Sequence, residues 1–197
     1  KPRGMWEKWA PLIRKKAGLG VIDQQLKPDY YDKQYKFFDV VVVGGGPAGM
    51  QAAIDAGIGN CEVLLVDENP ILGGSLNYTR LDAQGVLSQQ IREEMVTEIQ
   101  ANSNITVMTN AVCNGWFADN WLPVISGNRL YKIRASQTIL CTGALEQPAL
   151  FHNNDLPGIV MSSAAQRMIH LYGIKPGTEA VILTGNNDGY GTALDLH

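Results

Sequence analysis

The sequence is poor in the residues that build metal centres and disulfide frameworks. Its 197 residues hold three cysteines and three histidines. Cys61, Cys113 and Cys141 are odd in number and far apart, and no pair has C-x-x-C spacing. That excludes a disulfide scaffold and fits a reducing compartment. His152, His170 and His197 are equally scattered, so no metal site is expected. No ligand set for an iron–sulfur cluster is present either. Nothing approaches the ~20 consecutive apolar residues of a bilayer span, and no secretory leader is visible. The expected location is cytoplasmic, away from membranes. The first residue is Lys1 and not Met, so the true N-terminus is expected to lie upstream, which leaves targeting open. A net charge of −3 gives no footing for a nucleic-acid or anionic-membrane partner. Charged residues make up only 18% against 45% hydrophobic, the balance of a globular chain. No acid, base and nucleophile stand in a defined constellation, so no catalytic residue is assigned.

What the sequence does have is glycine, and one run of it organises the chain. Val40 to Val43 reads as a strand buried on both faces. Gly44, Gly45, Gly46, Pro47, Ala48 and Gly49 follow at once, with the G-x-G-x-x-G spacing that opens a helix. Gly44 permits the tight turn, Gly46 lets a pyrophosphate approach the backbone, and Gly49 lets the helix sit close on the strand. The helix N-terminus turns free N–H groups and partial positive charge toward the phosphates. A second apolar run, Val63 to Val66, ends in Asp67-Glu68, with Asp67 18 residues after Gly49. An acid there accepts hydrogen bonds from both hydroxyls of an adenosine ribose and repels a 2′-phosphate, which favours NAD or FAD over NADP.

The rest of the chain frames this unit. Trp6, Trp9 and Ile13 recur at helical spacing beside the basic Arg14-Lys15-Lys16, and Pro11 is expected at a helix start or kink. This helix either docks on another surface or packs on its own domain. Val21 to Lys36 reads as a linker. Pro70 and Gly73-Gly74 mark a loop able to reach back over the cofactor. Residues 86–101 form an amphipathic helix with Leu87, Ile91, Met95 and Ile99 on the core face. Ile105 to Met108 is a short parallel strand, and Ala111–Phe117, Leu122–Ser126 and Leu130–Arg134 form a β-meander with Trp116, Phe117 and Trp121 on its apolar face. Thr138 to Ala144 reads as a buried returning strand that ends in Thr142-Gly143-Ala144. A capped helix from Ser162 or Ser163 and a last strand, Ala180 to Thr184, open a second unit. There Asn187 and Tyr190 replace the second and third glycines, and Tyr190 should obstruct close packing. The expected organisation is an N-terminal helix and linker (1–36), a dinucleotide-binding domain (37–150), and a bridge with the start of a degenerate second unit (151–197).

Two βα units, a meander and a returning strand that ends in Thr-Gly resemble the FAD/NAD(P)-binding domain of the glutathione-reductase type. This is an α/β Rossmann-like, three-layer domain with a parallel sheet and a β-meander. Gly73 to Arg80 carries no cysteine pair, which disfavours disulfide reductase chemistry. The chain is more closely similar to the alpha subunit of heterotetrameric sarcosine oxidase and related multisubunit amine and opine oxidoreductases. The resemblance rests on Trp6-Glu7 through Ile13 to Gly20, Asp67-Glu68 with Gly73-Gly74-Ser75, Thr142-Gly143-Ala144 with Pro148, Asn153 to Gly158, and the degenerate turn Thr184 to Tyr190.

That resemblance implies a subunit that binds NAD without turnover, with FAD and the amine site in a partner subunit, while FMN lies between the two. It implies that Gly44 to Gly49 meet the pyrophosphate and that Asp67 takes the ribose. Glu68, Asn69, Gly74 and Ser75 would line the same side, Val112 would contact adenine through its backbone, and Thr142 and Gly143 would close over the cofactor. Two other functions stay open: a self-sufficient FAD-dependent NAD(P)H reductase, disfavoured by the degenerate second turn, and a non-catalytic nucleotide-binding module.

Overall fold

The computed structural model describes residues 4–18, 20, 23, 25–27, 29–80 and 86–197. The chain divides into two compact units, Lys1–Tyr30 and Tyr31–His197. Part of the expected linker from Val21 falls outside the described residues. In the first unit α1 (Met5–Lys16) carries Glu7 in its first turn and Arg14, Lys15 and Lys16 in its last, matching the helix dipole at both ends. Pro11 lies inside α1, where its missing N–H leaves the Glu7 carbonyl without its usual partner a turn later.

The second unit is built on one six-stranded sheet of order β3-β2-β1-β6-β5-β4. β1 (Asp32–Val43), β2 (Val63–Val66), β3 (Ile105–Met108) and β6 (Arg129–Leu140) run parallel, while β4 (Ala111–Cys113), β5 (Trp121–Ser126) and β6 form the antiparallel meander. The expected third meander strand and the returning strand are one strand, β6, which stops at Leu140 and not at Ala144 and leaves Ile139 and Leu140 exposed where burial was expected. Its first half pairs with β5 and its whole length runs beside β1, from Asp32↔Arg129 to Val43↔Leu140. This pairing also explains why β1 starts at Asp32, well before the apolar run: Asp32 to Phe38 pair with the first half of β6.

Side chains alternate across the sheet and fill a core on each face. Val40, Val42, Val63 and Leu65 face α2 (Pro47–Ile58) and α3 (Ser88–Ala101) with Met50, Ala53, Ile54 and Ile99. Val41, Leu64 and Val66 face the curled meander with Leu122, Val124 and Ile133. The result is three layers: helices, parallel sheet and meander. Burying one such Val or Leu side chain fully is worth about 1.5–3 kcal/mol, which is why a strand as short as β2 holds.

Several elements differ from expectation. Leu87 stands just before α3 and is exposed, whereas the fully buried Ser88 takes its place and meets the Thr79 hydroxyl at 3.1 Å. β4 ends at Cys113, and Trp116 and Phe117 are exposed, with Phe117 stacked on Trp121 at 4.9 Å. The meander's buried face is therefore aliphatic. Ala180 to Thr184 is not a strand, and Val181 is fully exposed, because no neighbouring strand supplies its hydrogen bonds. Neither Ser162 nor Ser163 caps α4 (Ser162–Tyr172) through its side chain. α5 (Asp188–Leu196) packs on α4, where Asp195 accepts from Gln166 Nε2 at 2.9 Å and lies 3.1 Å from His170 Nε2. Among the described residues no helix is long and apolar enough to cross a membrane.

Candidate functional site

The C-terminal ends of β1, β2 and β6 meet at the glycine turn, the position where open parallel sheets bind ligands. Gly44 has φ +106, and a Cβ there would run into the Cys141 carbonyl at the end of β6. Its N–H bonds the Val66 carbonyl at 2.8 Å, which ties the turn to β2. At Gly49 a Cβ would overlap the Gly44 carbonyl oxygen, so the helix crosses the strand at a distance only glycine allows. Gly46 differs: a Cβ there would stand in open space, with only the Gly74 Cα within reach at 3.8 Å. The absent side chain leaves a cradle over the start of α2. Pro47 occupies the first helical position, where a missing N–H costs nothing. The Ala48 and Gly49 amides that follow have no carbonyl a turn earlier to bond.

Asp67 sits at the end of β2 and is only 7% exposed. Its Oδ2 accepts a short hydrogen bond from the Gly45 N–H, and its Oδ1 accepts from the Asn69 N–H at 2.7 Å and Asn69 Nδ2 at 2.9 Å. A carboxylate offers about four acceptor positions; three are used internally. Asp67 thus fixes the shape of the glycine turn, with roughly one position left for a ligand. Glu68, beside it, is exposed.

The loop after β2 closes over the turn. The Gly73 N–H bonds the Gly45 carbonyl at 2.8 Å, and a Cβ on Gly74 would come within 2.7 Å of the Gly46 Cα. Ser75 is half-buried and its carbonyl accepts from Tyr78 and Thr79 N–H groups. On the other side Thr142 and Gly143 are exposed just past β6, with Gly143 at φ +76. Val112 belongs to β4, whose first residue Ala111 donates to the Asp67 carbonyl at 3.0 Å. All the residues expected at the site therefore lie on segments that converge on the ends of β1, β2 and β6.

Sequence reasoning missed the packing role of Gly45. A Cβ there would press on Leu72 Cδ2 at 2.5 Å and Asp67 Oδ2 at 2.9 Å, a long-range contact with no local signal. Burial pushes the Cys113 thiol pKa up, away from reactivity. A separate cleft of about 420 Å³ is lined by Phe37, Asp39, Glu62, Asp119 and Arg134 among others. Three of its charged groups are already engaged: Asp39 accepts the Glu62 N–H at 2.8 Å, and Arg134 lies 3.6 Å from Asp119.

Residues 38–179 match the family model described as pyridine nucleotide-disulphide oxidoreductase. The chain belongs to that family. The family binds FAD or NAD(P) dinucleotides, and the open Gly46 cradle and the orphan amides of α2 fit such a group. Gly73 to Arg80 carries no cysteine, so the disulphide of the family's name has no counterpart in that loop. The chain is 34% identical to the alpha subunit of sarcosine oxidase from Rhizobium meliloti (strain 1021) over 99% of its length and 21% of that protein. It is 28% identical to an opine oxidase subunit from Agrobacterium tumefaciens (strain Ach5), over 75% of this chain and 32% of the other. Among solved structures it is similar to L-proline dehydrogenase from P. horikoshii, with TM-score 0.65, 28% identity, and coverage of 78% of this chain and 32% of that one. The chain spans about a fifth of the length of the sarcosine oxidase relatives.

The second glycine turn has another shape. Gly189 packs on Thr184, where a Cβ would approach the Thr184 Cβ to 2.5 Å, and Tyr190 points outward at 67% exposure. Tyr190 therefore does not obstruct the packing; a glycine one residue earlier makes the close approach. The Asp188 carboxylate, held by Asn186 Nδ2 at 2.9 Å, stands at the start of α5, where it would repel a phosphate.

Proposed function

We propose that this chain is the dinucleotide-binding portion of the alpha subunit of a sarcosine-oxidase-like amine oxidoreductase. The observation that carries the reading is the Gly46 cradle, held open beside a turn that Asp67 locks through the Gly45 N–H. In this reading Gly44 to Gly49 receive the pyrophosphate, and Asp67 and Glu68 share the ribose hydroxyls. Asp67 offers its remaining acceptor position and Glu68 supplies the other. Asn69, Gly74 and Ser75 line the same wall, the Val112 backbone meets the adenine, and Thr142 and Gly143 close the far side. Two carboxylates at the ribose repel a 2′-phosphate, so NAD is preferred to NADP.

The bound dinucleotide supplies a redox-capable ring, but the residues around it offer no acid, base or nucleophile to a substrate. The chain's own contribution is binding and orientation. Oxidative demethylation of sarcosine or a related secondary amine then takes place in a partner subunit of a hetero-oligomer, with FAD and FMN in the assembled complex. The deciding experiment is identification of the cofactors released from the purified full-length complex. NAD together with two flavins supports the reading. FAD alone supports a second one, an FAD-dependent NAD(P)H reductase, which the family match favours and the Asp188 carboxylate at the second turn opposes. Absence of any dinucleotide refutes both.

A further inference from the structure

α4 begins after Met161, which has no capping side chain. Its first amides are bonded from elsewhere in the sequence: Glu146 Oε1 accepts the Ser162 N–H at 3.0 Å, and Oε2 accepts the Ser163 N–H at 2.8 Å. A carboxylate at this end also meets the positive pole of the helix. Burial raises the Glu146 pKa, but the Ser163 and Ser162 bonds outweigh it and hold the carboxyl below its ordinary value. Further along α4 the Arg167 guanidinium lies over the Tyr78 ring, 4.7 Å from its centroid.

Both contacts lead back to the glycine turn. Tyr78 follows the short 3₁₀ turn Gly74–Asn77, whose first residue lies against Gly46. Glu146 follows Thr142 and Gly143, and the carbonyl of Cys141 lies against Gly44. Between Glu146 and α4 the chain has no helix or strand, and Leu150 is 92% exposed. Burial does not fix the approach to α4, and the Glu146 bonds add to the packing of Ala165 and Gln166 in placing its first turns.

We propose that α4 is a clasp on the dinucleotide site, with Glu146 and Arg167 as the positioning residues that fasten it to the two chain segments flanking the glycine turn. This rests on the dinucleotide reading above. A dinucleotide that touches both Thr142-Gly143 and Gly74-Ser75 is held better when those segments are tied together. By linkage, its binding must tighten the tie by the same factor.

The test uses full-length protein, wild type and the variants Glu146→Ala, Glu146→Gln and Arg167→Leu. NAD+ and FAD are titrated separately, and hydrogen exchange of the Ser162–Gln166 peptide is followed with and without each. In wild type the dinucleotide that binds should slow exchange at Ser162 and Ser163. Glu146→Ala should abolish that slowing and weaken binding about tenfold, chiefly through faster release. Glu146→Gln keeps one carbonyl acceptor, should fold like the parent, and should show a partial loss of both. Arg167→Leu should also weaken binding, and its effect should shrink when combined with a Glu146 variant, because two fasteners of one clasp are not independent. A general loss of helix stability would not make the exchange depend on the dinucleotide. Unchanged affinity and unchanged dinucleotide-dependent protection in both Glu146 variants would overturn the clasp while leaving the binding site in place. A wild-type protein that binds neither NAD+ nor FAD would overturn the dinucleotide reading and the clasp with it.

Discussion

Replacing Asp67 by Asn removes one charge and keeps the side chain's size, and the structure says what must follow. The carboxylate accepts three hydrogen bonds, one on Oδ2 from Gly45 and two on Oδ1 from Asn69. An amide has one oxygen and one NH2. If the oxygen stays on the Asn69 side, the NH2 faces the Gly45 N–H, and one bond to a charged acceptor becomes a contact between two donors. If the amide turns over, both Asn69 bonds are lost instead. The first arrangement costs less, roughly 1.5–3 kcal/mol, with the Gly45 amide left buried and unpaired. The damage falls on the residue next to the cradle, so stability and cofactor affinity should fall together. Affinity for NAD+ or FAD should drop about 10- to 150-fold. Urea unfolding of the full-length protein and calorimetric titration with each dinucleotide measure the two losses. An unfolding midpoint and an affinity both equal to wild type would refute the role of Asp67 as the lock of the turn. A loss of affinity without a loss of stability would keep the ribose contact and remove the lock.

Gly46→Val should abolish dinucleotide binding and leave circular dichroism nearly unchanged, because its side chain enters open space and not the core; stoichiometric cofactor in the purified variant would contradict this. Gly49→Ala should instead disrupt the fold, since even one methyl group overlaps the Gly44 carbonyl, and a soluble variant with a wild-type melting temperature would count against the close helix–strand contact. The depressed folded-state pKa of Glu146 stabilises α4 above the unfolded value and loses that contribution as pH falls through the lower folded value; acid titration followed by exchange at Ser162 should show this slope, and Glu146→Gln should flatten it. The full-length protein by itself should not oxidise sarcosine or another secondary amine, whereas co-expression with its oxidase partners should restore peroxide or dye reduction; turnover by the isolated protein, or stoichiometric NADH, would overturn the reading.

The centre of the parallel half of the fold was legible because two short apolar runs there are buried on both faces. Val40 to Val43 and Val63 to Val66 can be read without tertiary knowledge. The glycines of the first turn were legible for the same reason: each answers a local geometric need at fixed spacing. The meander was read less well. Arg129 to Leu140 mixes polar and apolar residues and carries no turn signal, yet its charges and the polar Ser136 to Thr138 suggested a break after Arg134. The structure shows one strand: β6 lies between β1 and β5, and alternation across the sheet turns Arg134 to solvent while Ile133 beside it is fully buried. The start of β1 was hidden for a related reason. Asp32 to Phe38 gain their ladder from β6, almost a hundred residues later in the chain, and no local pattern announces that partner.

The site shows the same division between local and long-range causes. Spacing put Asp67 forward as the ribose acid, but spacing could not show how much of its carboxylate the protein itself uses. Three internal bonds make it a structural residue before it is a binding one. That changes how an acid pair such as Asp67-Glu68 should be understood. If one acid must both hold the turn and read the ribose, any ligand hydroxyl competes with the Gly45 and Asn69 donors for the same lone pairs. A second, exposed acid relieves the competition: Asp67 keeps the turn in its binding shape whether or not a ligand is present, and Glu68 is free to change partners when one arrives. The cost of ordering the turn is then met during folding and not during binding, which is the physical basis of a preorganised site.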